Sequence, residues 1–192
     1  MIIGEKNTIQ GVIEPICGGY TVPYMIGRGY CSLDPRNRLV ARFLESGKEK
    51  LVLLALSDFD PDGEEIAHSF ARSLRDDFNI DEDRIIPIQV ALTREQVEEL
   101  QLPPIMSAKE RSANYDRFVE EHGEVVHELE AVPPRKLQRM LGEALRTVID
   151  VERFNAEVEA EKADAACLAA AQKSVREMLL KLQVPPQEGI GT

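Results

Sequence analysis

Asp58, Asp60 and Asp62 alternate along the stretch LVLLALSDFDPDGEE, residues 51–65, straight after six apolar positions. Carboxylates crowded onto one turn repel one another, so the pattern calls for something positive beside them. A divalent cation, a lysine from elsewhere in the chain, or water around a solvated loop would each answer that need. Glu5, at the end of MIIGEK, is a further acid placed after an apolar run. Two carboxylates one residue apart after one strand, with a third from another strand end, suit a hard cation with oxygen ligands. Magnesium, with manganese as its substitute, fits best, because it keeps several waters and takes one or two carboxylates directly. Such an ion polarises a phosphate and stabilises an attacking or leaving oxygen.

Several protein families place closely spaced aspartates on a turn. DFDPDG matches the opening of an EF-hand loop, but that loop needs a glutamate at its twelfth position, and counting from Asp58 the twelfth residue is Ser69. A strand rather than a helix also precedes it. The D-x-D-x-T/V pattern of haloacid-dehalogenase phosphatases fails at its fifth position, which here is Asp62. A sugar-nucleotide DxD is not separated by spacing alone. A solvated turn that caps a helix is the plain structural alternative, since Asp, Pro and Glu favour a first helical turn.

The elements that must hold these acids follow from periodicity. MIIGEK, VPYMIG, KLVLLALS and RIIPIQVAL read as four strands, the third too continuously apolar for a sheet with one wet face. Pro87 inside the fourth predicts an edge position or an irregularity. Ile9, Val12, Ile13 and Ile16 lie at helical spacing before Gly18 and Gly19. Ser32 or Asp34, with Pro35, starts a second helix through Leu39, Val40, Phe43 and Leu44 to Gly47. Ile66, Phe70, Leu74 and Phe78 mark a third, and Thr93 with Gln96 predicts a capping box. Alternating strands and helices predict an α/β fold, a parallel Rossmann-like sheet of about four strands with flanking helices. Ligands of such sheets bind beyond the carboxyl ends of the strands, where Glu5, the loop 28–32 and the turn 58–62 would converge.

Beyond this, SAKERSANYDRF reads as a polar surface excursion and VVHELEAVPP as a short apolar-acidic piece. Leu137, Met140, Leu141, Leu145, Val148 and Ile149 form one apolar stripe, and Leu168, Val175, Met178, Leu179 and Leu182 another. They predict two helices or one long bent helix as a C-terminal extension. The expected organisation is an α/β domain over 1–104, a connecting segment over 105–134, a helical extension over 135–183 and a disordered tail over 184–192.

The acids in this arrangement resemble those of Toprim domains, found in topoisomerases, primases and some nucleases. GEK resembles the first-strand glutamate of the Toprim half of the topoisomerase VI A subunit and the related meiotic double-strand-break protein. GRGYCS resembles their glycine-tyrosine loop and DFDPDG their DxDPxG, so the likeness covers roughly residues 1–104. ALTREQVEELQLPP and HELEAVPPRKLQRML resemble the segments that follow in bacterial and phage relatives, less specifically. The resemblance implies Glu5 as the catalytic acid or base and a metal ligand, with Asp58 and Asp60 holding Mg²⁺ or Mn²⁺; Asp62 joins the metal candidates with its role open. It implies strand cleavage of DNA, with religation inside a larger assembly. In topoisomerase VI the cleaving tyrosine lies on a domain before the Toprim domain, so Tyr20, Tyr24, Tyr30 and Tyr115 are not expected to be nucleophiles. The chain would then be part of a longer protein, would cleave with activated water, or would take a tyrosine from a partner. No phosphate-binding GxxxxGK[ST] is present for an ATPase role.

Lys6, Arg28, Arg42 and Lys109 are the DNA-contact candidates, because cations near such a rim can hold phosphates; Arg36, Arg38 and Arg111 are weaker ones. Lys6 could instead lower the pKa of a neighbouring carboxylate. A formal charge of −11 argues against a broad basic face for nucleic acid, so DNA would have to be met locally, through metal or through a partner. Glu128 and Glu130 could reach the metal site or cap a helix. His68, His122 and His127 lack metal spacing. Cys17, Cys31 and Cys167 form no CxxC pair. No membrane-spanning run or cleavable leader is seen, which predicts a cytoplasmic protein. The alternative to an enzyme is a non-catalytic module that assembles with itself or a partner through its C-terminal helices, in which case charges at Leu141, Leu145 or Leu179 would break assembly.

Overall fold

A computed structural model describes residues 1–27 and 33–182. The first compact unit, Met1–Val148, is built on a four-stranded, wholly parallel sheet. In chain order its elements are β1 (Ile2–Gly4), α1 (Gln10–Gly19), β2 (Tyr24–Ile26), α2 (Leu33–Glu45), β3 (Leu51–Leu56), α3 (Ile66–Phe78), β4 (Ile85–Ala91) and α4 (Arg94–Leu100), then β5 (Met106–Ser107), α5 (Tyr115–His122), β6 (Val125–Val126) and α6 (Pro134–Val148). The second unit, Ile149–Thr192, holds α7 (Val151–Leu182).

The sheet order is β2-β1-β3-β4, and β5 pairs antiparallel with β6 apart from it. Every junction in the main sheet is parallel because a helix returns the chain between strands. Pro87 sits on β4, an edge strand, where its missing N–H costs least. β3 is central, and Leu53, Leu54, Ala55 and Leu56 are fully buried or nearly so, which accounts for its unbroken apolar run. Leu53 and Ile3 form a core with Phe43 of α2 and Phe70 and Leu74 of α3. The capping box closes α4 at both ends of the pair: Gln96 N–H donates to Thr93 Oγ1 (3.4 Å), and Thr93 N–H to Gln96 Oε1 (3.0 Å).

Three expectations need correction or division. The polar stretch 107–118 is not all surface excursion. It runs into α5, whose Phe118 is wholly buried, an anchor that the surrounding charges hide in the sequence. The predicted extension over 135–183 lies in two places: α6 belongs to the first unit and packs along α1, with Gln138 Nε2 donating to the Val12 carbonyl (2.9 Å). Leu141 and Leu145 are therefore core residues at 0 % and 1 % exposure, not a face awaiting a partner. In α7, by contrast, Leu168, Val175, Met178 and Leu179 are exposed. Among the described residues no helix is long and apolar enough to cross a membrane. The tail over 184–192 and the loop 28–32 lie outside the described residues.

Candidate functional site

β1 and β3 are neighbours with Gly4 level with Leu56, so their carboxyl ends deliver Glu5 and the 57–63 turn to one place. Glu5 N–H donates to the Leu56 carbonyl (3.0 Å), which continues the ladder one residue past the strand. Asp58 N–H then donates to Glu5 Oε2 (3.2 Å), tying the two candidate acids together directly.

The turn is held by its own polar atoms. Asp60 Oδ1 accepts the N–H groups of Asp62 (3.1 Å) and Gly63 (2.7 Å). Ser57 Oγ donates to the Gly63 carbonyl (2.8 Å) and accepts from Gln89 Nε2 of β4 (2.7 Å). Gly63 closes so tightly that a Cβ there would overlap the Asp58 carbonyl oxygen, so the glycine is needed for close approach.

A second segment covers the turn. Phe59 and His127 exchange backbone hydrogen bonds as an isolated antiparallel bridge (2.9 and 3.0 Å). Two residues on, Leu129 N–H donates to Asp58 Oδ1 (2.8 Å). Asp58, only 7 % exposed, uses its other oxygen for Lys6, with Nζ 2.8 Å from Oδ2. Lys6 Nζ also lies 2.8 Å from Glu130 Oε2 and 3.8 Å from Glu128 Oε1. Thr8 Oγ1 donates to the other Glu130 oxygen (2.9 Å).

The electrostatics follow from burial and crowding. Burial pushes the Glu5 carboxyl above its ordinary range, and the charges of Asp58 and Asp60 add to that, against the pull of the Asp58 N–H and Lys6. Burial likewise raises Asp60, with Asp58 and Asp62 adding like charge and the Gly63 N–H opposing. Partial burial alone would lower Lys6, but the carboxylates of Asp58 and Glu130 outweigh it and hold the ammonium protonated well above the usual lysine range.

Glu5, Lys6, Asp58, Asp60, Asp62 and Lys109 line one pocket together with Ser112, His127 and Glu128. Asp62 is exposed and takes the Ser112 hydroxyl (2.5 Å). Arg42 does not join them. It lines a separate cleft with Glu14 and Tyr24, because its place on α2 faces away from this rim. Arg36 and Arg38 pair with Asp77 (2.9 Å) and Asp34 (2.6 Å). Arg28 lies outside the described residues.

The acids of the pocket offer oxygen alone, the donor type a hard divalent ion takes, and burial together with neighbouring like charge raises Glu5 and Asp60. Among the described residues, three ligand atoms within 4.8 Å of one another occur at Glu64, Glu121 and His122 rather than at these acids. Of the two roles left open for Glu130, reaching the site or capping a helix, the structure gives the first, through Lys6. That pairing is not legible in HELEA without the β-bridge that places it. Glu64, Glu121 and His122 also gather, with ligand-type atoms all within 4.8 Å and His122 Nε2 2.9 Å from Glu64 Oε1. His122 packs edge-on to Phe59 and Phe118, and its Nδ1 is buried without a partner among the described residues. No local spacing signals that group, since Glu64 and His122 meet only when α5 folds over the turn.

Compared with protein-family models, curated proteins and solved structures, the chain shows no significant match to any. The class that stands on the fold is an α/β protein with a four-stranded parallel sheet and an acidic pocket at its carboxyl edge.

Proposed function

We propose that this chain is a Toprim-type, Mg²⁺-dependent cytoplasmic protein that acts on DNA phosphodiester bonds by strand cleavage, with religation within a larger assembly. One observation carries the reading: Glu5 from β1 and Asp58 and Asp60 from the turn after β3 line the same pocket, and Asp58 N–H is bonded to Glu5 Oε2. Glu5, Asp58 and Asp60 would hold the ion, Mg²⁺ or Mn²⁺, with Asp62 at the pocket's exposed edge. Bound there, the ion supplies charge stabilisation to a phosphate. The chain's own residues do the rest. Asp58 and Asp60 are fixed by backbone donors, so their geometry is set before any substrate arrives. Burial raises the Glu5 carboxyl above its ordinary range, the direction that favours a carboxyl holding and passing on a proton. Lys109, exposed on the pocket wall, can meet a DNA phosphate.

The test is nicking of supercoiled plasmid in Mg²⁺ or Mn²⁺ by the wild type, Glu5→Gln and Asp58→Ala/Asp60→Ala. The reading expects metal-dependent nicking that both variants lose. Nicking that survives in the variants would overturn it. Absence of nicking in the wild type would move the chemistry to another chain.

A second reading has its own observation. Leu168 and Val175 lie seven residues apart on α7, with Met178 three further on, an exposed seam of coiled-coil spacing. On this reading the chain is a non-catalytic module that pairs with a second copy or a partner through α7. Leu179→Glu would then reduce the assembled mass in solution while the acidic variants leave it unchanged.

A further inference from the structure

Lys6 already stands where the crowded acids call for positive charge. Its ammonium is 2.8 Å from Asp58 Oδ2, and Asp58 Oδ1 is committed to the Leu129 N–H. A divalent ion approaching Asp58 therefore has to take the oxygen that Lys6 holds. Both cations cannot share that oxygen at contact distance without strong mutual repulsion. Lys6 keeps a partner on leaving Asp58, because its ammonium already lies 2.8 Å from Glu130 Oε2, with Glu128 Oε1 at 3.8 Å. Both glutamates flank Leu129, the residue whose N–H donates to Asp58, so the alternative acceptors sit on the segment that also holds the acid.

We propose that Lys6 is a built-in counter-cation of the acidic pocket, displaced from Asp58 by the incoming divalent ion and received by Glu130, with Glu128 beside it. The proposal rests on the metal reading of Glu5, Asp58 and Asp60. It adds that the chain itself offsets part of the pocket's negative charge at Asp58, and that metal affinity is set by an exchange between two cations. Thr8 keeps Glu130 in place for the exchange, through its hydroxyl on Oε1.

Mn²⁺ binding to the full chain, measured by titration calorimetry with no DNA present, tests this. Lys6→Met should bind Mn²⁺ on the order of tenfold tighter than the wild type, the size expected when a like charge within contact range is removed. Lys6→Gln, which keeps a hydrogen-bonding end, should do the same and serves if the methionine variant does not fold. Glu130→Gln should weaken binding more with Lys6 present than in the Lys6→Met background, because its role is to receive the ammonium. Equal or weaker binding by both lysine variants, with wild-type binding intact, would overturn the exchange and leave the metal reading standing. An equal loss from Glu130→Gln in both backgrounds would make Glu130 a ligand or a bystander charge and overturn its role as receiver. No Mn²⁺ binding by the wild type or either lysine variant would overturn the metal reading and the exchange together.

Discussion

Both oxygens of Asp58 are held, one by the Leu129 N–H and the other by Lys6, whereas Asp60 is half-buried with like charges on both sides. The two aspartates should therefore answer differently to substitution. Asp58→Ala leaves a buried N–H and a half-buried ammonium without their acceptor, and should cost about 1–3 kcal/mol in urea unfolding. Asp60→Asn keeps an oxygen for the Gly63 and Asp62 N–H groups while removing a charge that the fold resists. The same holds for Glu5→Gln. A carboxyl whose folded pKa lies above its unfolded value contributes stability that is complete below the unfolded value and lost as pH rises through the folded one. Unfolding in a chelator should thus show Glu5→Gln and Asp60→Asn gaining on the wild type as pH rises through and above the ordinary carboxylate range. An advantage that shrank over that window would mean that neither acid is raised. Gly63→Ala places a Cβ against the Asp58 carbonyl and should cost about 1–3 kcal/mol, read as a lower melting temperature.

Helices α6 and α7 carry apolar stripes of similar appearance in the sequence, yet one is spent inside the fold and the other is exposed. Leu141→Ala should cost about 2–5 kcal/mol, because it opens a cavity against a fully buried site. Leu179→Glu should shift stability by no more than about 0.5 kcal/mol, as expected of an exposed position. Chemical unfolding of the two variants separates these roles. The contrast also marks what was legible beforehand. Strands β1 to β4, helix α3 and the α4 cap follow from apolar periodicity and local turn chemistry, and Pro87 placed β4 at the edge. Which amphipathic face meets which neighbour depends on distant partners such as Val12, and no local pattern reports it.

At the scale of the whole molecule, the acids Glu5, Asp58 and Asp60 were readable because parallel topology sends the ends of β1 and β3 to one edge. The pairing of Glu130 with Lys6 and the Glu64–Glu121–His122 group were not. Both depend on segments after residue 104 folding back over the turn, through the Phe59–His127 bridge and the packing of Phe118. The first unit encloses the pocket and its own core, so a chain ending at Val148 should retain a cooperative thermal transition and, on the metal reading, Mn²⁺ binding. Loss of the transition would show that α7 contributes to folding.

One measurement separates the acidic pocket from the Glu64–Glu121–His122 group, whose ligand atoms lie within 4.8 Å of one another. Anomalous scattering from crystals grown with Mn²⁺ locates the ion without reference to activity. The account predicts a peak bounded by the carboxylates of Glu5, Asp58 and Asp60, with Lys6 Nζ withdrawn from Asp58 toward Glu130. A peak only at Glu64, Glu121 and His122, or no ordered ion beside Asp58, would contradict it.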